Sequence, residues 1–237
     1  MLHKEKHQLF MGQILRDIYT DTALAPLLGL KGGTCAYFFY GLPRFSVDLD
    51  FDLLSELDTG RQTHIFHRVV DILQQYGGVK DSFMKRHTLF ALLSYGKEDH
   101  NIKIEISTRT LVADYQTCFE MKDYLGISMF VSRKEYLFAS KLSALALRRE
   151  TAMRDIYDIY FFAKNNWDLR KDIVELQTNK RFSPYMTECI TLVESINDNQ
   201  ILQGLGECID EKEKIWVKRN LRKEVIFYLK NFQAILK

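Results

Sequence analysis

The sequence predicts an α/β (α+β) protein, a small mixed sheet flanked by helices and followed by a helical C-terminal half, and three observations carry that reading. Residues 47–54, VDLDFDLL, alternate apolar residue and carboxylate, the period of a strand with one polar face. Ten of the 12 glycines lie before residue 130, in the same half as the alternating patterns. From residue 132 onward long segments carry apolar residues at helical spacing and the strand signals stop. The expected division is therefore 1–130 for the sheet-bearing core and 131–237 for the helical domain.

In chain order, residues 3–20 place Leu9, Ile14, Leu15 and Ile18 near helical spacing and predict an amphipathic first helix. The apolar stretch Leu27–Leu30 meets Lys31-Gly32-Gly33-Thr34, after which a short helix is expected over Cys35–Tyr40. Its aromatics, Tyr37 to Tyr40, are expected to pack in the core behind the acidic strand. Residues 61–76 read as a helix stopped by Gly77-Gly78. Strands follow at 79–86, 88–95 and 101–107, and residues 108–130 carry no clear pattern. Ser132 and Glu135 have the spacing of a capping box opening a helix over 132–149. Further helices are expected near 152–165, 168–178, 185–197 and 212–236.

Composition closes several function classes. A chain of 237 residues, 46% hydrophobic and 13% aromatic with three prolines, is built to bury a core rather than to stay disordered. Its 33 basic and 31 acidic side chains leave +2, so a nucleic-acid surface has to be local. The first residues, MLHKEKHQLF, lack the apolar core of a secretory signal, and no apolar run reaches the ~18 residues of a spanning helix. Cys35, Cys118, Cys189 and Cys208 are scattered, without a CxxC, which disfavours a zinc site or a disulfide framework. A cytoplasmic protein with reduced cysteines and no membrane partner is expected. His64 and His67, three apart on a helix, are too few ligands for a metal site and are expected in solvent.

Chemistry concentrates between Lys31 and Asp52. Asp48 and Asp50, two apart on a strand, leave the same face with Cα atoms roughly 6.6 Å apart and need a compensating cation. Magnesium suits them, because it takes hard oxygen ligands and is held by one or two carboxylates together with substrate phosphates. Asp52 shares that face at the far end, where solvent accounts for it. Gly32, Gly33 and Thr34 offer close-approaching backbone, N–H donors and a hydroxyl at a helix start, a setting for phosphate. Glu105 adds a third strand carboxylate in NIKIEIS, with Ile102, Ile104 and Ile106 on the other face. A glycine cradle, a DxD strand and one further carboxylate are what metal-assisted nucleotidyl transfer requires, with two ions ~3.5–4 Å apart.

These motifs resemble the polymerase-beta-type nucleotidyltransferase superfamily. Within it, Arg44-Phe-Ser46-Val-Asp48-Leu-Asp50-Phe51 resembles the RxSxDLDF signature of the AbiEii/AbiGii toxin family. Lys141-Leu-Ser-Ala144-Leu145-Ala-Leu-Arg148 and Arg154-Asp155-Ile-Tyr157-Asp158 are similar to that family's helical signatures. The resemblance spans about residues 28–165. It implies a nucleotidyltransferase-type sheet, a magnesium-dependent toxin of a toxin–antitoxin or phage-abortive system, and transfer of a nucleotide from an NTP to an acceptor hydroxyl. It further implies RNA such as a tRNA 3′ end as acceptor and a cognate antitoxin as partner.

Carried over residue by residue, the resemblance assigns Gly32, Gly33, Thr34, Arg44, Ser46 and Lys141 to the nucleotide. It assigns Asp48, Asp50 and Glu105 to two magnesium ions, with Glu105 also activating the acceptor hydroxyl, and Lys141 with Asp155 as a catalytic pair in the helical domain. Thr34 stands where the superfamily commonly has serine, which keeps the hydroxyl and adds a methyl. Read from spacing alone, Lys141 and Arg148 share a helix face and Arg154 with Asp158 is an i,i+4 surface pair. Two other readings share these features. One is a small-molecule adenylyltransferase that modifies antibiotics; the other is a non-catalytic scaffold binding RNA or protein, against which an unpaired acidic cluster argues.

The last helix adds a basic asymmetry. Lys214, Lys218, Arg219, Arg222, Lys223, Lys230 and Lys237 face one acid, Glu224, while Val217, Leu221, Val225, Leu229, Phe232 and Leu236 form its apolar stripe. Lys218, Arg219, Arg222 and Lys223 are therefore expected to hold an RNA backbone.

Overall fold

The computed structural model describes residues 3–97, 99–148 and 150–236. The chain divides into two compact units: residues up to Phe39 with Ser46–Arg133, and Tyr40–Phe45 with Lys134 onward. The excursion of Tyr40–Phe45 into the second unit departs from the single boundary expected at residue 130. Its cause is polar and local, because Arg44 is buried in the second unit and the Phe45 N–H donates to the Cys208 carbonyl at 2.8 Å.

Among the described residues the first unit is a seven-stranded mixed sheet with four helices. Its elements are α1 (Lys4–Thr20), β1 (Leu28–Lys31), α2 (Gly32–Tyr40), β2 (Asp48–Leu53), α3 (Thr59–Gln74), β3 (Gly78–Lys85), β4 (Thr88–Ser94), β5 (Ile102–Ser107), α4 (Tyr115–Cys118), β6 (Phe119–Tyr124) and β7 (Ile127–Ser132). The sheet order is β3-β4-β5-β2-β1-β7-β6, with β2–β5 and β1–β7 parallel and the other pairs antiparallel. One face is apolar: Leu49 and Phe51 of β2 and Ile102, Ile104 and Ile106 of β5 are buried.

Helix α1 supplies Met11, Ile14, Leu15 and Ile18 to this core, whereas Leu9 is 58% exposed and does not belong to its stripe. The Tyr19 hydroxyl lies 3.0 Å from the Leu28 carbonyl and 2.9 Å from that of Phe130, and accepts from the Leu30 N–H. It thus supports the short parallel junction between β1 and β7, and burial pushes its pKa well above the usual tyrosine value. At Gly29 a Cβ would collide with the Phe119 ring and Leu54, so any larger residue at this β1 position has to displace these side chains.

The patternless stretch 108–130 holds α4 and the β6–β7 hairpin. Its two-residue turn is Leu125-Gly126, with φ of 50° and 80°, the double left-handed backbone of a tight hairpin turn without the Asn-Gly that announces one. Ser132 closes β7 instead of capping the next helix. The aromatics Tyr37 to Tyr40 are only half-buried, and Cys35 and Ala36 are the core residues of α2.

The second unit is helical: α5 (Lys134–Leu147), α6 (Met153–Lys164), α7 (Lys171–Thr178), α8 (Phe182–Glu194), α9 (Glu211–Trp216) and α10 (Arg222–Ile235), the last two joined by a π turn, Val217–Leu221. Residue 149, the expected end of α5, and Lys237 lie outside the described residues. Val217, Leu221, Val225 and Leu229 are buried at a strict four-residue spacing. In an α-helix each such step turns about 400° and drifts off the face by about 40°. The wider π turn absorbs part of that drift and keeps the stripe on the core. Among the described residues no helix is long and apolar enough to cross a membrane.

Candidate active site

The carboxylates of β2 and β5 meet on the polar face of the first unit. In the parallel β2–β5 register Asp48 lies opposite Lys103 and Asp50 opposite Glu105. Alternation puts all four side chains on one face, and the Lys103 ammonium sits among the acids. Its Nζ is 3.7 Å from Asp48 Oδ2, 3.9 Å from Asp50 Oδ1 and 3.5 Å from Glu105 Oε2. A single charge pair at 4 Å has a gross attraction of about 4 kcal/mol at an effective dielectric constant of 20, and three such pairs compete with the cost of desolvating the ammonium. The pKa shows which wins: burial pulls it down, but Asp50, Asp48 and Glu105 together hold it above the ordinary lysine value.

Lys103 escaped the sequence reading, although its place two residues before Glu105 on an alternating strand was the signal that could have found it. The acids are a compensated cluster, not an unpaired one, and so do not by themselves speak against a scaffold.

The donor set suits magnesium in kind, since all three groups are hard oxygen ligands. The spacing is set for an ammonium: the oxygens stand 3.5–3.9 Å from Nζ, against ~2.0–2.1 Å in a magnesium shell. Among the described residues no three His, Cys, Asp or Glu groups are close enough to form one metal's ligand set. The expected ligand set of Asp48, Asp50 and Glu105 is thus brought together on one face and held open by Lys103.

Asp52 is corrected. It is buried and pairs with Lys31, Nζ to Oδ1 2.5 Å, instead of facing solvent.

The glycine turn packs directly on the acids. Gly32 has φ +74°, and a Cβ there would lie 2.7 Å from Asp50 Oδ2, so both backbone and space demand glycine. Helix α2 starts at Gly32 itself, three residues earlier than expected, which puts the Gly32 and Gly33 amides in its first turn, where N–H groups lack intrahelical acceptors. The Thr34 side chain points inward. It is fully buried, with Oγ1 2.8 Å from Ser46 Oγ and hydrogen bonded to the Asp48 carbonyl. Ser46 is buried as well. These two hydroxyls join the start of α2 to the start of β2.

Another buried residue holds the same strand. His7 accepts from the Tyr95 hydroxyl at Nδ1, 2.7 Å, and donates from Nε2 to the Val47 carbonyl at 2.9 Å, one residue before Asp48. Burial lowers its pKa below the ordinary histidine value. His64 and His67 are exposed.

In the second unit the remaining assigned residues form a buried charge network. Arg44 donates to Asp158 through Nε, 2.5 Å, and Nη2, 2.7 Å. Lys141 Nζ lies 2.5 Å from Asp155 Oδ1 and 3.0 Å from Asp158 Oδ2. Arg148 Nη1 approaches Asp155 Oδ2 at 2.7 Å. Burial lowers the pKa of Arg44 and Lys141, but the facing aspartates outweigh it and both stand above their ordinary values. Burial raises that of Asp155, but Lys141 and Arg148 outweigh it and hold it below the usual carboxylate value. The expected Arg154–Asp158 surface pair is replaced, since Asp158 is fully buried and taken by Arg44 and Lys141. Tyr157, buried beside it, donates to Glu213 Oε1 at 2.8 Å.

On the last helix, Lys218, Arg219 and Lys223 are exposed. Arg222 is not available in the same way: it donates to the Ile196 carbonyl at 2.7 Å and pairs with Asp198 at 2.9 Å. Lys214 pairs with Glu211 and Lys230 with Glu194, acids outside the window that showed a basic surplus.

Solved structures share the fold. A structure from H. pylori described as that of a nucleotidyltransferase superposes with TM-score 0.56 and 19% identity over 97% of each chain. JHP933 of Helicobacter pylori gives TM-score 0.54 and 20% identity over 98% of this chain and 96% of its own. MenT4, a nucleotidyltransferase toxin of Mycobacterium tuberculosis, gives 0.56 and 14% over 98% and 92%. At these identities the likeness is one of fold. No curated protein matches the chain in sequence. The family model for the nucleotidyl transferase AbiEii toxin of type IV toxin–antitoxin systems matches residues 13–205, most of the chain and both units, and the protein belongs to that family of nucleotidyltransferase toxins.

Proposed function

We propose that the protein transfers the nucleoside monophosphate of an NTP to a hydroxyl of an RNA acceptor, of the class of a tRNA 3′ end, with magnesium as cofactor and a cognate antitoxin as protein partner. The observation that carries this reading is the convergence of Asp48, Asp50 and Glu105 on one cationic centre beside the Gly32 turn. Asp48 and Asp50, with Glu105, would hold the metal, which when bound neutralises charge on the triphosphate and on the leaving pyrophosphate.

The chain's own groups do the rest. The Gly32 and Gly33 amides, at the start of the nine-residue helix α2, donate to the triphosphate with the helix dipole behind them. Thr34 and Ser46 act from beneath, by fixing α2 to β2. Glu105 takes the proton of the acceptor hydroxyl as its oxygen attacks the α-phosphorus; the bond from that phosphorus to the bridging oxygen breaks and pyrophosphate leaves. Lys141, held by Asp155 and Asp158, is the residue that the family signature assigns to the nucleotide. Arg44 keeps Asp158 in place, and Lys218, Arg219 and Lys223 receive the RNA backbone.

Incubation with each α-labelled NTP, magnesium and total RNA tests the reading. Label from one NTP in one RNA size class is expected. Label on an aminoglycoside or lincosamide and none on RNA would make the protein a small-molecule adenylyltransferase instead.

A further inference from the structure

We propose that Lys103 is a resident counter-ion that a divalent cation must displace from Asp48, Asp50 and Glu105, so that this lysine sets how much metal loads the site; the inference rests on the nucleotidyltransferase reading above. The register is the first ground. Asp50 and Glu105 are direct cross-strand neighbours and Asp48 is two residues from Asp50 on the same face, a placement of like charges that is unfavourable without a cation between them. Lys103, opposite Asp48, supplies it, with Nζ within 3.9 Å of an oxygen of each acid. The neighbouring cation Lys31 is committed to Asp52 and does not share the task.

Exclusivity is the second ground. Inner-sphere binding of a small divalent ion draws carboxylate oxygens to ~2.0–2.1 Å, into the volume the ammonium fills, and the two cations repel. The Lys103 side chain is 32% exposed on a flexible four-carbon stem, so it can leave toward solvent without unfolding the strand. A metal therefore has to outcompete an ion already tethered to the site.

Binding of Mn2+ alone to the full-length, metal-stripped protein tests this, read by the EPR signal of free Mn2+ and by melting temperature. Lys103→Met should bind Mn2+ about tenfold more tightly than wild type, a difference of about 1.4 kcal/mol. It should melt lower than wild type without metal and regain the difference with it. Lys103→Arg, which keeps the charge, should bind no more tightly than wild type. Lys103→Gln serves the same comparison if Lys103→Met does not fold. Unchanged or weaker Mn2+ binding in the neutral variants overturns the displacement and leaves the metal-ligand reading of the carboxylates standing. No Mn2+ binding by wild type or neutral variant overturns both.

Discussion

Arg44 and Asp158, 114 residues apart in the chain, meet in the helical unit as a two-pronged pair, Nε to Oδ1 2.5 Å and Nη2 to Oδ2 2.7 Å, with side chains 2% and 0% exposed. Such a pair is worth little against an apolar replacement of both partners, but removing one partner strands a buried charge. Asp158→Ala should therefore cost about 3–5 kcal/mol in urea unfolding, since it leaves Arg44 and Lys141 with Asp155 as the remaining buried carboxylate of the network. A loss below about 1 kcal/mol would be that of a surface pair and would contradict the buried network.

Thr34→Val keeps the shape and removes the hydroxyl. Because that hydroxyl is spent on Ser46 and the Asp48 carbonyl, the change should lower stability by about 1–3 kcal/mol. The Kd of a non-hydrolysable NTP should move less, by about twofold or under. A large loss of NTP affinity at unchanged stability would return the hydroxyl to the phosphate.

His7 supplies a pH dependence with a definite sign. Its folded-state pKa lies below the ordinary 6.5 because the ring is buried, so the unfolded chain takes up a proton first as pH falls. Stability is complete above about pH 6.5 and falls below it until the folded-state pKa is passed. His7→Gln should flatten this part of the stability profile below about pH 6.5. An equal slope in the variant would assign the titration to another group.

Much of this architecture was legible because one face of each central strand is apolar. VDLDFDLL and NIKIEIS announce β2 and β5 through Leu49, Phe51, Ile104 and Ile106, all buried. The hairpin β6–β7 was not, because its turn is Leu125-Gly126 and a leucine at φ 50° leaves no local signal. Placement of the acids on one strand face followed from the period of two; their compensation did not. Which strand lies beside β2 is a tertiary fact, and the pairing of Asp48 with Lys103 exists only in that register. The same holds for Asp52, whose partner Lys31 comes from β1, and for the basic run of the last helix, partly neutralised by Asp198 and Glu194 from earlier segments.

The last helix should act through three of its four assigned basic residues. Reversal of Lys218, Arg219 and Lys223 to Glu should reduce RNA labelling steeply and flatten its dependence on salt, with melting temperature held. Arg222→Glu should instead lower the melting temperature, because its guanidinium serves the Ile196 carbonyl and Asp198. RNA labelling unchanged by the triple reversal across a salt series would remove this helix from acceptor binding.

The carboxylates carry the central claim, and single-turnover transfer from an α-labelled NTP to RNA measures it most directly. Glu105→Gln should slow transfer far more than it weakens NTP binding, as loss of a proton acceptor in the chemical step does. Asp50→Asn and Asp48→Asn should each reduce the transfer rate by about a thousandfold, about 4 kcal/mol of transition-state stabilisation, at saturating magnesium and with a melting temperature within a few degrees of wild type. Transfer at the wild-type rate by either asparagine variant would contradict the assignment of the β2 carboxylates to catalysis.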